Sequence, residues 1–282
     1  MIAIVTDSTC DIPQPLLDQY GVIVVPQVIV WGGQVYRDRV DLQPLDFYQR
    51  LEQDAQRPTT SQATEADWQA AYERAIEAGA DDILALTVSS AMSSTYSIAR
   101  RAAGHVNVPV SVVDSKGPTM TLGWQVLAAA RARDAGYGRN SILDIVATAR
   151  SRMAQFVAMH TLEYLQHGGR IGNAVKWVGG LLHVKPLVSI NHQSGLVEPV
   201  TLARTHTALV NGMYTRFFER LNVSQNLRVA VMHGNCEEEA CLLAERIQAQ
   251  YHPAELLVNI TGPVLGANTG PGALALCGYW EG

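Results

Sequence analysis

The sequence predicts an α/β chain in two parts, and three observations carry that expectation. Short β-branched runs alternate with amphipathic stretches through the first half, the pattern of βαβ units around a mainly parallel sheet. Two of those runs end alike, in Val5-Thr6-Asp7-Ser8 and Val112-Val113-Asp114-Ser115. After about Arg152 the texture changes to more isolated strands with Gly-rich joints at Gly168-Gly169 and Gly179-Gly180. The expected architecture is a Rossmann-like N-terminal domain over residues 1–152 and a C-terminal α/β domain with a mostly antiparallel sheet over residues 153–282.

Strands of the first domain are expected at Ile2 to Thr6, Val22 to Val25, Ile83 to Thr87 and Val110 to Val113. Helices are expected at Ala66 to Glu77, where Thr64-Glu65-Ala66-Asp67 supplies a cap, at Ser94 to Ala103, and at Leu122 to Ala135, where Gly136 is a stop signal. In the second domain the expected strands are Phe156 to His160, Lys185 to Ile190, Val229 to His233 and Ala254 to Ile260. In an open parallel sheet the carboxyl ends of the strands share one edge, and ligands settle in the crevice there. Asp7, Ser8, Ser89, Ser93, Asp114 and Ser115 are therefore expected along a common rim.

With 282 residues, 48% of them hydrophobic and 17% charged, the chain has the composition of a soluble globular protein with an extensive core. No window reaches the ~18 uninterrupted apolar residues of a membrane span, so no stable membrane insertion is expected. The start, Met1-Ile2-Ala3-Ile4-Val5-Thr6-Asp7, reads as a first strand and lacks the basic and apolar regions of an export signal, which predicts a cytoplasmic protein. A formal charge of -5 without runs of Lys or Arg argues against nucleic acid as a partner. Cys10, Cys236, Cys241 and Cys277 show neither C-x-x-C nor zinc-ligand spacing, so free thiols are expected. Asn222-Val223-Ser224 and Asn259-Ile260-Thr261 fit the glycosylation pattern, which a cytoplasmic chain does not use.

Chemistry concentrates in three segments. After the apolar run Ile83-Leu84-Ala85-Leu86 the chain offers Ser89, Ser90, Ser93, Ser94, Thr95 and Tyr96 just as a helix begins, an arrangement of hydroxyls and free backbone N–H groups that seats anions. The structural alternative is one capping Ser and a solvated turn. Pro58-Thr59-Thr60-Ser61-Gln62 and Gly262-Pro263-Val264-Leu265-Gly266-Ala267-Asn268-Thr269-Gly270-Pro271-Gly272 repeat the theme of neutral donors on Gly/Pro-shaped backbone; a rigid turn is the alternative for the latter. A serine hydrolase would commonly show G-x-S-x-G, and a nucleotide binder G-x-x-x-x-G-K-[ST] or G-x-G-x-x-G after a strand; none occurs. The eight histidines lack H-E-x-x-H or comparable metal spacing, so no metal site and no catalytic residue is expected.

With Val5-Thr6-Asp7-Ser8-Thr9, Tyr164-Leu165-Gln166-His167-Gly168-Gly169-Arg170-Ile171, and Lys185-Pro186 followed by Arg204, these segments make the whole chain resemble the DegV family of fatty-acid-binding proteins. The resemblance implies a non-catalytic two-domain carrier. It would enclose one long-chain fatty acid, hold the carboxylate at the domain cleft and present it to a separate fatty-acid kinase, with no other cofactor. It also implies that Thr60 and Ser93 hydrogen-bond the carboxylate, with Ser61 and Ser94 as further candidates; Ser94 stands where the family usually has Gly. Asn268, followed by Thr269, takes the place of the usual His of the late motif, and an amide donates hydrogen bonds but does not titrate. Arg204 matches a basic position near the head group, and Arg170 falls in a loop implicated in kinase docking; a surface ion pair and a solvated loop charge are the respective alternatives.

The energetics suit such a cargo. Neutral donors contribute ~1 to 3 kcal/mol each to a charged head, whereas ~14 methylenes at ~0.8 kcal/mol give about 11 kcal/mol before association costs. The tail supplies affinity and the head supplies register, here without a full cationic partner. The densest apolar stretch, Trp177, Val178, Leu181, Leu182, Val184, Leu187 and Val188, is the candidate tail lining, with ordinary core as its alternative. Two other functions stay open on sequence alone: an enzyme acting on an acyl or phosphate ester, and a carrier of another apolar acid such as an isoprenoid.

Overall fold

A computed structural model describes residues 1–177 and 184–281. In chain order the strands are β1 (Ile2–Asp7), β2 (Ile23–Val25), β3 (Val28–Trp31), β4 (Gln34–Arg37), β5 (Thr59–Ser61), β6 (Asp82–Thr87), β7 (Val110–Asp114), β8 (Ala154–Ala158), β9 (Lys185–Ile190), β10 (Val197–Ala203), β11 (Asn226–His233), β12 (Glu255–Ile260) and β13 (Leu274–Glu281). The helices are α1 (Gln14–Tyr20), α2 (Pro44–Gln53), α3 (Glu65–Glu77), α4 (Thr95–Ala102), α5 (Met120–Asp134), α6 (Arg139–Ser151), α7 (Glu163–His167), α8 (His206–Arg220), α9 (Glu237–Tyr251) and α10 (Pro263–Thr269).

The first half builds a parallel sheet in the order β2-β1-β6-β7, and the second half a sheet in the order β10-β9-β8-β13-β11-β12. All neighbours in the latter are antiparallel except β11 and β12. Helix α3 begins at the expected cap: Thr64 accepts from the Asp67 N–H while the Asp67 carboxylate accepts from the Thr64 N–H. The late Gly/Pro segment is neither a turn nor a phosphate cradle. Pro263 sits at the first position of α10, where its missing N–H costs nothing.

A third sheet, β4-β3-β5, was not foreseen. Its signal is Gly32-Gly33, a two-residue hairpin loop with both φ values positive, which only glycine adopts cheaply. Ile29 and Trp31 of this small sheet, with Phe47 and Tyr48 of α2, form one core cluster with Val264 and Ala267 of α10, so a piece of the first half belongs spatially to the second. Helix α5 is buried on nearly all sides because it is clamped between β1 and β6 on one side and β13 on the other. From there the Trp124 Nε1–H donates to the Cys277 carbonyl at 3.2 Å.

Polar contacts register the two halves. Asp11, fully buried and left-handed at φ 49°, accepts from Arg39 at 2.6 Å, from the Gly262 N–H at 2.9 Å and from the Thr119 hydroxyl at 2.8 Å. Its own carbonyl accepts from the Asn259 amide at 2.8 Å. Arg39, itself left-handed at φ 60°, also donates to the Ile260 carbonyl. On the opposite flank the Ser89 hydroxyl donates to the Gly195 carbonyl at 2.9 Å, and a Cβ on Gly195 would stand 2.1 Å from that hydroxyl. All four cysteines are free, and burial pushes the Cys10 thiol up to about 12.

Asp38 makes stability respond to pH. It is buried, Oδ2 accepts from the Ser8 hydroxyl at 2.6 Å, and Oδ1 has no partner. Burial pushes its pKa up to about 7, against the opposing effect of Arg39. The folded state therefore holds this proton more tightly than the unfolded chain. The resulting stability is complete below about pH 4 and is lost as the pH rises through about 7. Asp38→Asn keeps an acceptor for Ser8 without the charge. Urea unfolding from acid to neutral pH should show the variant gaining on the parent by up to about 1.4 kcal/mol per pH unit; a difference that does not change with pH would contradict a proton on Asp38.

Candidate ligand-binding site

Between the two halves lies a cavity with about 980 Å³ of unfilled space, counting its open mouth. Strand alternation builds its floor. Val157 and Met159 come from one face of β8 and the residue beyond it, Val188 and Ile190 from β9, Met232 from β11 and Ala275 from β13. Val88, Met92 and Pro118 close it from the first half, and Val264 and Leu265 of α10 from the side. Among the described residues that line it there is no Asp, Glu, His or Lys, and Arg170 is the one charged side chain.

Several polar groups reach this wall, and their hydrogen bonds determine which have a proton to offer. Thr9 gives its hydroxyl proton to the buried Asp7 carboxylate, Thr119 gives its to Asp11, and Thr269 gives its to the Leu265 carbonyl. Asn268 spends one amide hydrogen on the Val264 carbonyl at 2.8 Å and leaves its buried Oδ1 without a partner. By contrast, the Thr60 and Ser61 hydroxyls make no hydrogen bond among the described residues, and both line the cavity on β5 with Gln62 beside them.

Ser93 is the best prepared of these donors. The Gln27 side chain is buried, and its Oε1 accepts from the Ala63 N–H at 2.9 Å, which fixes the amide so that Nε2 donates to Thr95 Oγ1 at 3.1 Å. Thr95 Oγ1 lies 2.8 Å from Ser93 Oγ, a bond in which either hydroxyl can donate, and the Thr95 N–H approaches the same oxygen at 3.3 Å. In the arrangement with Thr95 donating, the Ser93 proton is free to point into the cavity. Gln27 is held in turn by its N–H donating to Ser8, whose hydroxyl donates to Asp38. Hydrogen bonds, one of them from the Gln27 backbone N–H, thus link the buried Asp38 carboxyl to the Ser93 hydroxyl at the cavity.

The structure brings Thr60, Ser61, Ser93, Asn268, Thr269 and Arg170 to one cavity. It does not bring Ser94 or Arg204. Ser94 is exposed at the start of α4, where its carbonyl rather than its hydroxyl is engaged, by Ile98 and Ser97. Arg204 is exposed just past β10, outside the cavity wall. The remaining serines of the cluster knit the sheet edge instead: Ser89 binds Gly195, and the Ser90 N–H donates to Asp114, as the Val88 N–H does to Asp7. Arg170 also lines this cavity and donates to the Met92 carbonyl at 3.1 Å and to the Gly168 carbonyl.

Among the described residues, Val188 alone of the candidate tail residues lines the cavity. Leu187, its neighbour on β9, points to the opposite face and packs under α8, as strand alternation requires. Trp177 and Val184 are half-buried away from the cavity, and Val178, Leu181 and Leu182 lie outside the described residues. Gln62 belongs to the expected donor segment, whereas Gln27 and Gln155 carry no signal in the sequence, since an isolated Gln has no periodic pattern.

A family model described as "Uncharacterised protein, DegV family" matches residues 1–281. A DegV domain-containing protein of Mycobacterium tuberculosis is 34% identical over 281 residues, covering 98% of this chain and 96% of that one. Among solved structures, a DegV family protein from Thermus thermophilus, described as fatty acid binding, superposes with a TM-score of 0.93 at 30% identity over 99% of both chains. DegV of Bacillus subtilis, described as a fatty acid binding protein, superposes with a TM-score of 0.91 at 29% identity, again over 99% of both. With the family model spanning nearly every residue and these structures superposing over 99% of the chain, the chain belongs to the DegV family.

Proposed function

We propose that this protein is a fatty-acid carrier: it binds one long-chain acid between its halves, seats the carboxylate with Thr60 and Ser93, and presents it to a separate fatty-acid kinase in the cytoplasm. The observation that carries the reading is the division of the cavity into an apolar trough and one end with unspent hydroxyl protons. The fatty-acid binding described for the relatives from Thermus thermophilus and Bacillus subtilis supports the same cargo.

The chemistry of the wall favours holding over reacting. A nucleophilic serine needs a base within hydrogen-bond reach, and Ser93 is paired with Thr95, in a cavity lined by no histidine or carboxylate among the described residues. Its environment makes it a donor, not an attacking oxygen. Arg170 at the mouth supplies a positive charge that draws the carboxylate to the open end, where a partner's phosphate donor reaches it. The presentation step rests on the family resemblance and on this placement of the head.

Native mass spectrometry of the purified protein is expected to show one long-chain acid per chain. Finding none, together with no uptake of added palmitate or oleate, would contradict the carrier reading. Thr60→Ala combined with Ser93→Ala should leave the protein folded and weaken acid binding by roughly tenfold or more per hydroxyl, with loss of kinase-dependent acyl-phosphate formation. Unchanged affinity and turnover would remove these residues from the head site.

A further inference from the structure

We infer that Gln155 is the end stop of the acyl trough and sets the longest chain the protein accepts. The inference rests on the fatty-acid reading and concerns the end of the cavity opposite its donors. On β8, Ala158 pairs with Leu274 at the start of β13, the strand that follows α10 with its Asn268 and Thr269, whereas Gln155 pairs with Cys277. Three residues of strand at about 3.3 Å each separate these registers by about 10 Å. Gln155 therefore stands at the far end of the floor.

What lies beyond it is different in kind. Gln155 and Ile190 line the acyl cavity on one side and, on the other, a second cleft walled by Lys116, Arg150, Ser151, His192, Gln193 and Arg220. That cleft has about 1280 Å³ of unfilled space counting its opening. Methylenes that enter it stay in contact with water and cations and add nothing to binding. Gln155 is only 3% exposed, so it fills the partition between the two spaces. Its Oε1 lies 2.9 Å from the Thr121 hydroxyl, whose single proton is shared between it and the Pro118 carbonyl at 2.6 Å. Removing the Gln155 amide therefore leaves no buried donor stranded, because Thr121 keeps Pro118. A Gln in this place closes an apolar trough with a group that tolerates the polar cleft behind it.

The test uses the full-length protein and a mixture of saturated acids from about 12 to about 22 carbons, with the bound distribution read by native mass spectrometry. Gln155→Ala is expected to move the preferred length upward by about two carbons or more, and Gln155→Met, of similar length, to leave it in place. Ile190→Ala, which thins the same partition from β9, should shift the distribution in the same direction and serves as the second variant. Parent and variants binding the same length distribution would overturn the end stop while leaving the carrier function intact. A parent protein that takes up no acid would overturn both.

Discussion

The buried carboxylate of Asp11 is the constraint on which the rest of this structure depends. It follows the first strand of the parallel sheet, yet two of its partners, Gly262 and Asn259, belong to the second half, and Arg39 ties it further to Ile260. Asp11 and Arg39 both adopt left-handed backbone, a conformation costing about 1 to 2 kcal/mol for a residue with a side chain. Their 2.6 Å ion pair and shared acceptors hold that geometry. A buried charge stripped of its partner is destabilising by about 3 to 5 kcal/mol, so the halves cannot separate at this point without losing much of a domain's net stability. The cavity exists because the halves are pinned here and at Ser89, and are lined with apolar side chains between the pins.

Within that cavity, ligand chemistry is decided by which hydroxyl protons are already committed. Thr9 and Thr119 look like ligand donors by position and are not, since Asp7 and Asp11 take their protons. Ser93 is paired at 2.8 Å with the Thr95 hydroxyl, which Gln27 anchors, and it has a proton for the cavity when Thr95 donates. The two carboxylates thus act on the site indirectly, by taking up the protons of Thr9 and Thr119. In the proposed carrier an anion is then received by the remaining hydroxyls, and Val157, Val188, Met232 and their neighbours receive the rest of its length.

The parallel sheet was legible because each of its strands is a β-branched run closed by a turn signal, and α3 because Thr64 and Asp67 form a recognisable capping box. The small third sheet was not, since Thr59–Ser61 is too short and polar to announce a strand and is made one by pairing with β3. The hydroxyl clusters pointed to the right segments. They did not separate Ser93 from Ser94, which differ by one position and end up lining the cavity and facing solvent respectively. The tail wall was the hardest to read: it is assembled from alternate residues of β8, β9, β11 and β13, and an apolar run of adjacent residues cannot show which of its members share a face.

The central claim is that a carboxylate is received at Thr60 and Ser93, with its chain laid along the floor of the second sheet. A crystal structure of the protein loaded with a single saturated acid tests it most directly. The account predicts carboxylate oxygens within about 2.6 to 3.2 Å of Thr60 Oγ1 and Ser93 Oγ and a methyl end directed at Gln155. An acid bound in the reverse sense, or seated outside this cavity, would contradict it.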